Sequence, residues 1–282
     1  YLASHFEKDV YDSYVKSERP PPLVYNLKQC AEELQHCEIS DVIRCRRRAL
    51  EFNRHDVPIF CPLDEIQKVH DWTLGDINFV SKSQRTNSNT LELGYTGPGW
   101  QHRCLTEFLL HYGVISWQHV THRITATGRY PPHIFREPLQ MMDEAWRDAG
   151  YPELAKLSVN SLIGLWAIDE SYEYKTYSSR HDDDCPPGAL KSIFHYDGGQ
   201  IQDFTLKEPL SSGGISNRPL HDLCMCSEAV QVGTMLYALK QARCTIYELR
   251  TDSVLYRPPK RRKVFLEDLQ YKDLHLMRNK LE

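Results

Sequence analysis

Lys156, Asn160, Ser161 and Gly164 fall within the stretch KLSVNSLIG, and Asp252 falls within IYELRTDSVLY. On a helix, Lys156 and Asn160 stand one turn apart and share a face. Gly164 continues that face without a side chain. An ammonium group beside a face flattened by glycine suits a planar, phosphate-bearing ligand. The cation binds phosphate as a point charge, and the flat surface admits a base pair. The same letters would also serve a surface lysine on a core helix with a packed glycine. Asp252 lies at the tip or start of a hairpin between two short apolar strands. A carboxylate exposed on such a platform suits Mg²⁺, a hard cation that takes a few carboxylates plus substrate phosphates. An aspartate placed there for its turn propensity is the alternative.

Taken together, K-x-x-x-N-S-x-x-G followed by T-D-S on an expected hairpin resembles the family B DNA polymerases. The first pattern matches that family's fingers motif, a lysine followed by Asn-Ser-x-Tyr-Gly. The second matches its palm motif, Asp-Thr-Asp-Ser. The resemblance implies that Lys156 contacts the triphosphate of an incoming nucleotide. It implies that Asn160, Ser161 and Gly164 lie against the nascent base pair, and that Asp252 binds two catalytic Mg²⁺ ions. Ile163 stands where the family usually has tyrosine, and Arg250 where the first palm aspartate is expected. Asp252 is then the main metal ligand of its motif.

A two-metal mechanism needs a carboxylate from another strand. By the resemblance it comes before the fingers, at a strand end. EISDVIRCRRRAL offers Asp41, and LGDINFV offers Asp76. Asp41 is preferred. It leaves room for the fingers before Lys156, and Arg44, Arg46, Arg47 and Arg48 follow it closely. Arg44 is taken as a further nucleotide ligand. The family's tyrosine that excludes ribonucleotides has no counterpart here; Arg46 is the nearest residue. RPPKRRK, with Lys260, Arg261, Arg262 and Lys263, could grip primer–template phosphates, direct nuclear import or form a solvated loop. HDLCMC has metal-ligating residue types but no second pair at zinc spacing, so it reads as thiols before a helix. The acidic HDDDC turn reads as solvated.

The elements that must hold these residues follow from periodicity. Apolar residues recur at helical spacing in Gln101–Gly113, in Pro138–Gly150 and in the stretch carrying Lys156. Ser227–Ala242 reads as an amphipathic helix with Ser227 as its N-cap. YEYKTYSS, KSIFHY and IQDFTL read as strands. RCTIYEL and SVLY flank a tight RTD turn. The expected fold class is α+β, a palm with an antiparallel sheet and an inserted helical fingers subdomain. Residues 1–36 form a lead-in, 37–100 and 166–256 the palm, 101–165 the fingers, and 257–282 the start of a thumb.

A chain of 282 residues can build a sizeable core. Its formal net charge of −4 argues against coating DNA by bulk charge. The 9 cysteines, odd in number and irregularly spaced, point to a reducing intracellular compartment. No apolar run is long enough for a membrane helix, and no signal peptide is visible. Starting at Tyr1, the chain reads as a piece of a longer protein. The partners implied by the resemblance are a DNA primer–template and a deoxynucleotide, and it also allows a terminal protein primer. Two other readings remain: an inactive nucleic-acid-binding remnant of such a polymerase, and an unrelated α+β interaction protein.

Overall fold

This computed structural model describes residues 2–19, 21–26, 36–83, 93–168, 172–181, 185, 187–196, 198–209, 213–259 and 277–280. Along the chain run β1 (Ser4–His5), α1 (Lys8–Val10), β2 (Val24–Asn26), β3 (Glu38–Val42), α2 (Cys45–Glu51) and β4 (Val57–Ile59). Next come β5 (Ile66–Lys68), β6 (Ile77–Val80), β7 (Gly99–His102), α3 (Arg103–His111), β8 (Val120–Ile124) and β9 (Gly128–Tyr130). Helices α4 (Arg136–Asp148) and α5 (Leu154–Trp166) precede β10 (Tyr172–Ser179), β11 (Leu190–Tyr196), β12 (Gly199–Pro209) and β13 (Ile215–Ser216). The long α6 (Arg218–Gln241) leads into β14 (Thr245–Arg250), β15 (Ser253–Arg257) and β16 (Met277–Lys280).

The central sheet is antiparallel, in the order β16-β3-β15-β14-β2. Its inward residues alternate with outward ones, as a half-buried strand requires: Tyr247 and Leu249 on β14, Val254 and Tyr256 on β15 are buried. Leu249, Val254 and Tyr256 pack with Leu105, Phe108 and Leu109 of α3 and with Val232, Met235, Leu236 and Leu239 of α6. Gly233 lies inside this layer because a Cβ there would press on the Leu93 carbonyl and the Phe108 ring. The first turns of α6 serve a second core, where Leu220, Leu223 and Cys224 meet Leu50 of α2, Leu139 of α4, and Val159, Ile163 and Trp166 of α5. One helix thus ties the sheet to the helical layer.

Helix α6 begins nine residues before Ser227, which lies in its middle and caps nothing. Pro219 opens the first turn, where its missing N–H costs no bond. Arg218, fully buried, pairs with Asp222 one turn on (3.2 Å) and donates to the carbonyls of Val15 and Ser17, both at 2.8 Å. Tyr14 donates to Asp222 at 3.0 Å. These bonds fasten the N-terminal segment across the helix start. HDLCMC is therefore the second and third turns of α6, not a loop before it. Within residues 1–36, Val24–Asn26 is the edge strand of the central sheet.

A separate four-stranded sheet runs in the order β5-β8-β6-β7, and β10-β12-β11 form a three-stranded antiparallel sheet. No helix among the described residues is long and apolar enough to cross a membrane. No disulfide joins the described cysteines.

Candidate metal and nucleotide site

Asp41 and Asp252 reach the same end of the central sheet from opposite ends of the chain. Strand β3 pairs with β15 so that Asp41 stands opposite Ser253. One step further, the Val42 amide donates to the Asp252 carbonyl at 3.0 Å. Asp252 occupies a two-residue turn, with Arg250 opposite Ser253. Thr251 makes the turn at φ +54°, a left-handed conformation, and its amide donates to the Leu23 carbonyl at 2.9 Å. The turn is therefore pinned from both sides by main-chain bonds. Arg250 points away: its side chain is 73% exposed and bonded to Glu248 at 2.5 Å.

Asp76 belongs to the other sheet, at the head of β6. Its carboxylate is saturated: Arg129 donates through Nη1 (2.7 Å) and Nη2 (2.8 Å), and the Ala126 amide donates at 2.8 Å. It is a buried structural acid that ties β6 to the segment between β8 and β9.

The arginines after Asp41 have separate assignments. Arg44 is exposed and left-handed, at φ +51°. Arg46 donates Nε to Glu228 of α6 at 2.9 Å. Arg47 is bonded to Glu51 and Asp143. Arg48 stacks over Phe52 (5.7 Å to the ring centroid) at the rim of a cavity of about 350 Å³ between α2, α3 and α6. Glu228 is buried. Burial raises its pKa, Arg46 opposes that rise, and the negative charge of Asp252 adds to it. Asp252 thus acts electrostatically on both members of the Arg46–Glu228 pair. Sequence reasoning did not find Glu228. It lies 182 residues from Arg46, and nothing local distinguishes it from any helical glutamate.

Helix α5 turns Ala155, Val159, Ile163 and Trp166 into the core. Ile163 is 2% exposed, so the position of the family's tyrosine serves packing here, not the open face. The opposite side of α5 is open. Lys156, Ser161 and Gly164 are exposed, and Asn160 is half-buried. A Cβ on Gly164 would meet nothing within 4 Å, so no packing inside the described chain requires a glycine there. Leu157 and Leu165 (each 59% exposed) flank this face with apolar surface. Helix α5 packs on both α2 and α6, the helices that carry Arg46 and Glu228.

Among the described residues, no three His, Cys, Asp or Glu side chains converge as a metal site. The main chains of Asp41 and Asp252 meet at one sheet end, and these are the two residues that could hold Mg²⁺, which takes one or two carboxylates and fills its octahedral shell with water and phosphate oxygens. Lys260, Arg261, Arg262 and Lys263 lie outside the described residues, as do Asp182, Asp183 and Asp184.

No protein-family model matches the chain, and no curated protein does. Among solved structures it is similar to phi29 DNA polymerase complexed with primer-template DNA, the post-translocation binary complex. The identity is 14% over 91% of this chain and 43% of that one, with a TM-score of 0.49. It is also similar to phi29 DNA polymerase complexed with primer-template DNA and incoming nucleotide substrates. There the identity is 12% over 86% of this chain and 42% of that one, with a TM-score of 0.48. The likeness is one of fold, in a mixed helical and antiparallel-sheet chain that spans less than half the length of those polymerases.

Proposed function

We propose that this chain carries the palm and fingers of a family B-like DNA polymerase and performs template-directed nucleotidyl transfer. The observation that carries the reading is the meeting of Asp41 and Asp252 at one end of an antiparallel sheet. In this reading residues 37–100 and 166–256 form the palm, 101–165 the fingers, and 257–282 begin a thumb, after a lead-in of 1–36. Asp41 and Asp252 would hold two Mg²⁺ ions, which would supply charge stabilisation to the attacking and leaving oxygens. The primer 3′-hydroxyl gives up its proton and bonds to the α-phosphorus of a deoxynucleotide, and the bond to pyrophosphate breaks.

The chain's own residues orient the substrates and offset charge, which is most of what phosphoryl transfer asks of a protein. Lys156 reaches the β and γ phosphates. Asn160, Ser161 and the bare Gly164 present a flat face to the nascent base pair. Arg44 adds positive charge beside Asp41. Lys260, Arg261, Arg262 and Lys263 hold primer–template phosphates.

Arg250 favours a second reading. A cation stands where the family's first palm aspartate is expected, and a polymerase that has lost activity but still binds nucleic acid would tolerate it. Primer extension with Mg²⁺ by the full-length protein separates the two. Incorporation that depends on template and on Mg²⁺ supports the first reading. DNA binding without incorporation supports the second.

A further inference from the structure

The side-on geometry of Arg46 leaves it unlike the other arginines of α2. Its Nε is used by Glu228 at 2.9 Å. Its Nη1 and Nη2 have no protein partner among the described residues. The guanidinium side chain is 33% exposed, whereas its anchor Glu228 is 3% exposed. A guanidinium is a rigid planar fork with five N–H donors. Here one donor is fixed to a buried carboxylate, and four have no partner among the described residues on a side chain that is one-third exposed and within the field of Asp252. Full use inside the fold would look like Arg47, whose Nε and Nη1 both end on carboxylates. Arg46 instead has a buried tether and an open end, which suits a ligand with several acceptor oxygens.

We propose that Arg46, aimed by the buried Glu228, binds the polyphosphate of a nucleotide beside Asp252. Glu228 is then a positioning residue, and it acts only through Arg46. This deepens the polymerase reading, on which it rests for the identity of the nucleotide. Arg44 is exposed and has no such anchor, whereas a tethered fork loses less side-chain freedom on binding.

The test is equilibrium binding of dATP and of inorganic tripolyphosphate to the full-length protein, with Ca²⁺ replacing Mg²⁺ to prevent turnover. Arg46→Ala is expected to weaken both ligands at least about tenfold, the range of charge-assisted bonds to phosphate. Glu228→Ala should approach the same loss. Glu228→Gln keeps an acceptor for Nε and should bind nearly as wild type. Unchanged dATP affinity in Arg46→Ala overturns the proposal. If that variant fails to fold, Arg46→Lys decides, because it keeps the charge and loses the fork: wild-type affinity there overturns it equally. A merely structural Glu228 would lower the melting temperature of Glu228→Ala and leave the affinity of its folded fraction intact, which would overturn the positioning role. Tripolyphosphate carries no base or sugar, so its loss in Arg46→Ala without any primer extension by wild type would sustain this site and sink the polymerase reading. Extension by wild type with unchanged affinities in Arg46→Ala would do the reverse.

Discussion

The Val42 amide and the Asp252 carbonyl share a hydrogen bond of 3.0 Å, so the strand that carries Asp41 ends against the turn that carries Asp252. Two residues more than two hundred positions apart are thereby brought together by main-chain bonds alone. This bond uses the backbone of Asp252 and leaves its carboxylate out of the ladder. Asp252→Asn should therefore keep the fold and abolish Mg²⁺-dependent primer extension, since an amide cannot replace an anionic ligand of a hard cation. Circular dichroism should show an unchanged melt. Extension near the wild-type rate would remove Asp252 from the site.

Lys156 is exposed on the open face of α5, and no hydrogen bond or ion pair inside the described chain holds it. Its removal should cost the fold little, within about 0.5 kcal/mol for such a surface position. A lysine aimed at phosphate should contribute roughly 1.5–3 kcal/mol to nucleotide binding. Lys156→Ala is thus expected to raise the apparent Michaelis constant for deoxynucleotides by one to two orders of magnitude, with the melting temperature unchanged. The opposite pattern, lost stability with an intact Michaelis constant, would make the lysine structural.

Asp76 is predicted to matter for stability and not for chemistry. Its side chain is 5% exposed and receives two donors from Arg129, whose own side chain is 36% exposed. Breaking a buried pair costs about 3–5 kcal/mol, and solvent screening of the arginine reduces this to roughly 2–3 kcal/mol. Urea unfolding of Asp76→Ala should show a loss of that order. Extension by the folded fraction should still respond to Mg²⁺ as in wild type. A variant of full stability with no extension would return Asp76 to the metal site.

The parts of this fold governed by local pattern were legible in the sequence. The period of α3 and α5, the alternation of β14 and β15 and the tight turn between them follow from side chains a few residues apart. The preference for Asp41 over Asp76 rests on the room it leaves for the fingers and on the arginines that follow it, and the sheet register places the Asp41 main chain next to the Asp252 turn. The start of α6 was missed because Ser227 is a good capping residue by type. A buried Arg218–Asp222 pair, visible only as an i, i+4 spacing, extends the helix past it by two further turns. Glu228 carried no local signal, because its meaning comes from Arg46 on a distant helix. Ile163 was recognisable as a departure from tyrosine, but its inward direction needed the position of α6 and Trp166 to become clear.

The fold should weaken on mild acidification, and His102 is one identifiable cause. The residue caps α3, its Nδ1 accepting the Cys104 amide at 3.3 Å, and its ring is 1% exposed. That bond puts the proton of the neutral ring on Nε2, which has no partner among the described residues. A second proton would have to enter a buried site facing the His55 ring (centroids 6.0 Å apart). Burial, with the charges of His55 and Arg103 against the weaker pull of Asp222, lowers the His102 pKa to about 3. The unfolded chain titrates near an ordinary histidine value of about 6.5. Between these values the unfolded state binds a proton that the folded state does not. Stability therefore falls as the pH drops through this window, by up to about 1.4 kcal/mol per pH unit, or roughly 2 kcal/mol by about pH 5. Asn in place of His102 can still accept the Cys104 amide through Oδ1, and it does not titrate. His102→Asn should be less stable than wild type near neutrality, because the smaller side chain leaves a void. The gap should then narrow by about 2 kcal/mol on going to about pH 5, as the wild type alone loses this contribution. Urea unfolding of both proteins across that range measures the gap directly, and titrating groups common to both cancel. Parallel stability profiles would mean that His102 takes up its proton as readily in the folded chain as in the unfolded one.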